Sequence, residues 1–303
     1  MLNTIKDGNT VKIEGILSEI DIEDKVLVKN GVESKAIGGS IKIRVSTTVN
    51  GKDTELEIPV HMFASQLTNA GAPNPAYESI QRIKNEYVSI AASDIDHADR
   101  VRITKGAIAM NEYYGQDGRL ISFPRITASF VTKIKREECK PKADFSVTFM
   151  VGKPGYVLDK DGVETDKYQV TGMIPQYGGK VDVVPFFAVN PGVIDAVSNY
   201  WTEGDTVKAT GRLNFTSETK EVETKVDFGE PVIETRTFSI SELVITGGSS
   251  TPLDGEFAIS IDDIKVALAE RQDRLAALKE KSANKSSAPK APASGNKFAG
   301  LGF

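Results

Sequence analysis

Alternating apolar and polar residues predict a β-hairpin in the first half of the chain. Apolar residues occupy every second position within residues 40–49, as in a strand with one buried face. Asn50-Gly51 follows, the dipeptide that most strongly favours a two-residue hairpin turn, and a second alternating segment comes after it. A long strand over residues 11–23 precedes the hairpin, and the Gly-rich residues 33–39 predict a loop between them.

The second half of the chain repeats this pattern. Residues 167–174 alternate in the same way, and a turn is predicted at Gly178-Gly179. Residues 180–187 then form the second strand of the hairpin. The same β-module therefore occurs twice.

Each hairpin precedes a predicted helix and a closing hairpin. Asn74-Pro75 and Asn190-Pro191 are typical helix starts, because Asn caps the first turn and Pro fits within it. The closing hairpins are predicted at residues 100–114 with 119–134 and at residues 206–215 with 233–246. The polar residues 216–230 predict a long loop inside the last hairpin.

The order of strand, hairpin, helix and hairpin is that of a five-stranded OB barrel with its helix between the third and fourth strands. A chain of 303 residues is long enough for two domains with separate cores. We therefore predict a mainly β fold with two tandem OB-like five-stranded barrels, at residues 1–140 and 141–250. Such barrels often present a groove to oligonucleotides or oligosaccharides.

The pattern changes after the second module. Ser260 and the acids that follow it predict the start of a C-terminal helix over residues 258–281. Residues 282–303 are rich in Ser, Ala, Pro and Lys and predict a disordered tail. Phe298, Leu301 and Phe303 at its end are either a partner-binding motif or chance apolar residues in an unstructured end.

Composition excludes several kinds of site. Cys139 is the only cysteine, which excludes an intramolecular disulfide and predicts a free thiol in a reducing compartment. The two histidines, His61 and His97, lack metal-ligand spacing, and no Cys-x-x-Cys, phosphate-binding Gly-rich loop or nucleophile elbow occurs. No apolar run reaches the roughly 20 residues of a membrane span. We expect a cytoplasmic, non-enzymatic protein without a metal or cofactor.

Basic and aromatic residues gather on the predicted strands and turns. The net charge of the chain is -5. Basic and acidic residues are nearly equal in number in residues 1–142, whereas acidic residues predominate in residues 143–256. The first module is therefore the expected main site for a polyanion. Grooves for single strands combine cations with aromatic rings on which bases stack. The candidate DNA-binding residues are Lys42, Arg44, Arg100, Arg102, Lys105, Tyr113, Tyr114, Arg119, Phe123 and Arg125 in the first module, and Tyr156, Tyr177, Lys208 and Arg212 in the second. The alternative is that the rings lie in the core and the cations on a solvated face.

The predicted last hairpin of the first module resembles that of a known protein family. Its turn, Glu112-Tyr113-Tyr114-Gly115-Gln116-Asp117-Gly118-Arg119, resembles that of OB-type single-stranded DNA-binding proteins. The overall plan is similar to tandem-OB single-strand binders of bacteriophages. The resemblance implies a protein that coats and protects single-stranded DNA in replication, recombination or repair. It also implies recruitment of replication or recombination proteins through the C-terminus, although lysines replace the usual acids before Phe303.

Two other classes of function stay open at this point. A virion structural or assembly protein could use β-barrels as packing modules, and salt-dependent binding of oligonucleotides separates it from a DNA-binding protein. A carbohydrate-binding module would have aromatic rings but few basic residues in its groove.

Overall fold

The computed structural model describes residues 2–29, 31–49, 51–115, 117–224 and 232–286. The described residues form a mainly β structure in which eleven strands pair into one sheet, with three α-helices. The sheet closes on itself twice and thus forms two barrels. None of the described helices is long and apolar enough to cross a membrane.

The first barrel closes because its first strand pairs with both the second and the fourth. Its strands are β1 (Asn9–Lys29), β2 (Val32–Val49), β3 (Lys52–Ser65), β4 (Arg100–Tyr114) and β5 (Leu120–Thr127). β1 pairs antiparallel with β2 and β4, β2 with β3 and β4 with β5, and β5 also pairs in parallel with β3. Ile41 and Ile43, at alternate positions of β2, are buried in the core. A short strand, β6 (Thr132–Ile134), adds to β4.

The second barrel has the same connectivity. Its strands are β7 (Lys142–Leu158), β8 (Glu164–Gln176), β9 (Lys180–Ala188), β10 (Thr206–Thr224) and β11 (Val232–Gly248). β7 pairs with β8 and β10, β8 with β9 and β10 with β11, and β11 also pairs in parallel with β9. The prediction of two tandem OB-like barrels is confirmed.

A capped helix follows the third strand of each barrel, as predicted. Helix α1 (Pro75–Glu86) begins after Asn74, whose side-chain oxygen accepts a hydrogen bond from the backbone N–H of Ala76 at 3.1 Å. Helix α2 (Pro191–Tyr200) begins after Asn190, which accepts from the N–H of Gly192 at 3.0 Å. Both caps satisfy a backbone donor that the first helical turn leaves free.

The barrels are joined edge to edge. The first residues of β1 pair with β7, from Asn9 opposite Val147 to Glu14 opposite Lys142. Because β1 pairs with strands of both barrels, one hydrophobic cluster contains buried residues of both. The carboxylate of Asp182, on β9, also accepts a hydrogen bond from the N–H of Met110, on β4, at 3.0 Å.

Two segments that we predicted as loops are strands. Residues 33–39 belong to β2 and pair with β1, and residues 216–224 belong to β10 and pair with β11. The glycines that predicted the first loop permit a close backbone approach, since a Cβ atom on Gly39 would lie 2.0 Å from the carbonyl oxygen of Asp21. The polar residues 216–224 lack alternation because a two-stranded ribbon satisfies its backbone hydrogen bonds without an apolar face.

The C-terminal helix is longer than the predicted residues 258–281. Helix α3 spans Ile261–Ser286, so residues 282–286 are helical instead of belonging to the predicted disordered tail. The hydroxyl of Ser282 donates to the carbonyl oxygen of Tyr114 at 3.4 Å. Arg271 and Arg274 bind the buried carboxylate of Glu112, also on β4, and these contacts hold α3 against the sheet.

The rest of the predicted tail lies outside the described residues. It includes the expected partner-binding residues Phe298, Leu301 and Phe303. Three 3₁₀ turns complete the described elements, at Ile90–Ala92, Arg136–Glu138 and Gly255–Phe257.

Candidate nucleic-acid interface

A groove with a volume of about 920 Å³ lies on the surface of the first barrel. All five strands of the barrel contribute to it, together with the loop after β5. The charged and aromatic side chains in its lining are Asp21, Lys25, His61, Phe63, Lys105, Arg125 and Phe130. The groove is therefore both aromatic and cationic, and we call it the barrel-1 groove.

The alternation of β3 places two of these side chains in the groove. Val60 and Met62 are buried in the core, so His61 and Phe63 point to the opposite face of the strand. Phe63 pairs across the sheet with Gly38, and a Cβ atom on Gly38 would lie 2.9 Å from the Phe63 ring. The absence of a side chain at this position leaves room for the ring to lie against β2.

The two phenylalanines of the groove are unusually exposed for their type. Phe63 has 54% of its surface exposed and Phe130 has 58%. Large apolar side chains contribute to folding in proportion to the area that they bury, so core packing does not explain these two rings. A flat aromatic surface inside an open groove offers a stacking platform for a planar ligand.

The cations of the groove are free to bind a ligand. None of Lys25, Lys105 and Arg125 forms an ion pair with a carboxylate of a described residue. Arg125 donates from Nη1 to Asn111 Oδ1 at 3.4 Å, and its buried Nε has no partner among the described residues. Asp21 is the one carboxylate in the lining, so the groove has a net positive charge.

His61 is a neutral polar group in this setting. Its burial and the positive charge of Arg125 both lower the pKa of the imidazole below its ordinary value. At neutral pH the ring therefore offers one donor and one acceptor and adds no charge to the groove.

A β-bulge directs Lys105 to the surface. Three residues of β1, from Val11 to Ile13, stand opposite four residues of β4, from Ile103 to Gly106. The extra residue lets both Thr104 and Lys105 face outward while their neighbours stay buried. A regular strand would have turned one of the two inward.

The structure brings Lys105 and Arg125 together in the barrel-1 groove and extends the same face along β4 and β5. Residues directly opposite in an antiparallel pair share a face, and Ala109 opposes Arg125 while Asn111 opposes Phe123. Tyr113 lies two positions further on the same face, and its ring meets that of Phe123 edge-on at 6.4 Å. Tyr113 and Phe123 therefore lie on the same face of the hairpin as Arg125.

The other two candidates on this hairpin are placed differently. Tyr114 lies on the opposite face, which Glu112 shares and which packs against α3. Arg119 is exposed in the turn, with its Nε 3.6 Å from Asp117 Oδ2.

Four candidate cations have partners within the protein and lie outside the groove. Lys42 pairs with Glu19 at 2.5 Å, a bond that raises the pKa of the lysine, and Arg44 pairs with Glu57 at 3.4 Å.

Arg100 and Arg102 have structural roles. The buried Arg100 donates to the carbonyl oxygen of Ala98 at 2.6 Å. Arg102 binds the buried carboxylate of Glu14 through two bonds of 2.9 and 3.2 Å, and these lower the pKa of that carboxyl. Glu14 also accepts from the N–H of Lys140, so this cluster fastens the connection between the barrels.

The second-barrel candidates are scattered. Tyr156 packs edge-on against Tyr168 at 5.1 Å, Lys208 is exposed on β10, and the buried Nε of Arg212 has no partner among the described residues. They do not line the barrel-1 groove. Tyr177, in the turn between β8 and β9, lies next to it and lines an adjoining hollow with Lys105.

Sequence reasoning missed four cationic or aromatic residues of the groove, which are Lys25, His61, Phe63 and Phe130. The alternation of β3 contained the signal for His61 and Phe63, because an aromatic ring at an outward-facing position of a strand indicates a binding surface. Lys25 and Phe130 lacked such a signal, because only the barrel closure brings them to the groove. Within the described ranges, no group of three or more His, Cys, Asp or Glu could hold a metal ion.

Comparisons with known proteins give two structural similarities and one family. The chain is similar in structure to a deletion mutant of the single-stranded DNA binding protein from Thermus aquaticus, with a TM-score of 0.48 and 11% identity over 82% of this chain and 95% of that one. For the wild-type form the TM-score is also 0.48, with 9% identity over 82% of this chain and 94% of that one. Identities this low leave the function to be argued from the groove itself.

A search of curated protein sequences finds no match. A family model covers almost all of the chain that the structure describes. It is the model of YorF, it matches residues 7–281, and the chain therefore belongs to the YorF family.

Proposed function

We propose that this protein binds single-stranded DNA in the barrel-1 groove without acting on it chemically. The observation that carries the proposal is the combination of two exposed rings, Phe63 and Phe130, with the unpaired cations Lys25, Lys105 and Arg125 in one open groove. Rings stack on the faces of bases, and cations bind phosphates.

The same combination favours an unpaired strand. In a duplex the bases stack on one another and hide their faces, whereas a single strand can turn successive bases onto protein rings. The cations favour a polyanion over a neutral sugar, which speaks against a carbohydrate-binding module. Stacking is tolerant of sequence because every base has a π-face, so little sequence preference is expected.

The biological role that we propose is to coat exposed strands and protect them from nucleases and pairing, in DNA replication, recombination or repair. The resemblance of the overall plan to tandem-OB single-strand binders of bacteriophages supports a phage protein at work in the host cytoplasm. Recruitment of replication or recombination proteins by Phe298, Leu301 and Phe303 is part of the same proposal. It rests on the sequence of the tail alone.

Titration with a fluorescent oligo-dT over a series of salt concentrations tests the proposal. Three groove cations that each contact a phosphate predict a slope of about -2 in log affinity against log salt, since each contact to a single strand contributes roughly 0.7. Failure to bind at low salt, or equal affinity for duplex DNA, contradicts the proposal and leaves a virion assembly role as the stronger reading.

A further inference from the structure

A second hollow adjoins the barrel-1 groove where the two barrels meet. It has a volume of about 340 Å³, and Lys105 and Ala107 line both hollows. Its other lining residues are Gly106 of β4, residues before and at the start of β1, and, from the second barrel, Thr148 and residues 174–177. A single DNA strand in the groove can therefore pass over β4 into this hollow without leaving the protein surface.

Tyr177 presents its ring almost entirely to solvent. It is 89% exposed, at the tip of the turn between β8 and β9. Gly178 and Gly179 follow it with φ angles of 79° and 77°, a conformation that a residue with a side chain rarely adopts. The tight turn leaves the ring without a packing partner, so its burial contributes very little to folding.

Hydrogen bonds fix the position of this turn relative to the groove. Gln176 donates from Nε2 to the carbonyl oxygen of Ile108 at 3.2 Å. The side chain of Asn9 donates to the same oxygen at 2.7 Å and accepts from the N–H of Ile108 at 2.9 Å. Because Ile108 directly follows Ala107 of the groove wall, the base of the Tyr177 turn is tied to that wall.

The charges of the lining residues favour a path of the DNA strand that ends at Tyr177. Beyond the second hollow lies a third, of about 590 Å³, which shares Thr4 and Ile5 with it. The third hollow contains the carboxylates of Glu256 and Asp263 against the single cation Lys6, and this balance disfavours phosphates. In the second hollow, by contrast, Asp7 is the one carboxylate of the lining, and Lys105, at the boundary with the barrel-1 groove, balances its charge.

We propose that a single strand bound in the barrel-1 groove crosses β4 at Lys105 and stacks a base on Tyr177 of the second barrel. This inference rests on the proposed function, because it extends the same strand. It assigns the second barrel one stacking subsite and predicts that affinity rises again once the oligonucleotide is long enough to reach it.

Oligo-dT of graded length, from about 4 to 20 nucleotides, tests the path because one OB barrel covers roughly 4–16 nucleotides. Tyr177→Ala is expected to bind the shortest oligonucleotides like the wild type. It is expected to lose about 5- to 150-fold in affinity for the longer ones, the effect of one unstacked base. Tyr177→Phe should retain the wild-type affinity, and Tyr200→Ala, an exposed tyrosine on α2, is the matched control.

A tryptophan at the same position gives a second readout. In Tyr177→Trp, long oligonucleotides should quench the added fluorescence and the shortest should not, whereas Tyr200→Trp should respond to neither. If the wild type binds oligo-dT and Tyr177→Ala matches it at every length, the path is wrong and the proposed function survives. If the wild type binds no oligonucleotide, both fail.

Discussion

Replacement of Phe63 by alanine separates a binding role of this ring from a structural one. A stacked base contributes roughly 1–3 kcal/mol, so its loss should weaken oligo-dT binding by about 5- to 150-fold. Phe63 is 54% exposed, and complete burial of a phenylalanine contributes roughly 1.5–3 kcal/mol to stability. The substitution should therefore cost about 1 kcal/mol of folding free energy, which lowers the melting temperature by only about 2–4 °C.

Fluorescence anisotropy with a labelled oligo-dT and thermal unfolding of the same samples measure the two quantities. Phe257→Ala is the matched control, because Phe257 is 53% exposed and lines the acidic third hollow instead of the groove. The control should show a similar change in melting temperature and unchanged affinity. An equal loss of affinity in both variants, or wild-type affinity in Phe63→Ala, refutes the reasoning.

Four further predictions concern Arg125, the tyrosines of the β4–β5 hairpin, Glu14 and the C-terminal tail. Arg125→Gln should weaken binding to all sequences and reduce the salt slope by about 0.7, measured by titration with oligo-dT; an unchanged slope removes this contact. Tyr113→Ala should weaken binding while Tyr114→Ala leaves it unchanged, because only Tyr113 shares the groove face; the reverse order of affinities contradicts that assignment. Glu14→Gln should lower the melting temperature at pH 7, and the difference should shrink in acid. The reason is that the bond from Arg102 lowers the pKa of Glu14 in the folded protein. The contribution of Glu14 to the free energy of unfolding is therefore present above the pKa that it has in the unfolded chain, and it is lost as the pH falls through the lower pKa of the folded state. Removal of residues 287–303 should preserve folding and DNA binding but abolish capture of replication or recombination proteins from lysate; equal capture by both forms argues against a recruitment motif.

The order of elements could be predicted because it depends on local signals. Asn74 and Asn190 each precede a proline and an apolar helical face, and the structure confirms both as helix caps. The repeated hairpins follow from alternation and turn residues within a few positions of each other. Because the same order of elements occurs twice, it predicts two barrels.

The groove could be predicted only in part because its side chains meet through distant pairings. Arg102 reads as a surface cation on its strand, yet its partner Glu14 is 88 residues away in the sequence. The outward direction of Lys105 depends on a bulge that only the pairing of β4 with β1 reveals. Phe130 follows a strand end and enters the groove because the barrel closes next to it.

The strand ends escaped prediction for a different reason. Residues 216–224 are polar and carry no alternation, although they continue β10 in register with β11. Glycines 38 and 39 read as loop residues, whereas the structure uses them for close approach between strands and for the Phe63 ring. Polar ribbons and close approach are properties of a pair of strands and leave no signal in either strand alone.

Photo-crosslinking tests the central claim most directly. Oligo-dT with 5-iodouracil at single positions is bound to the full-length protein, irradiated and digested, and the modified peptides are sequenced by mass spectrometry. The structure predicts crosslinks at Phe63 and Phe130, the exposed rings of the barrel-1 groove. Crosslinks confined to other surfaces, with both of these peptides unmodified, would contradict the assignment of the groove as the DNA-binding site.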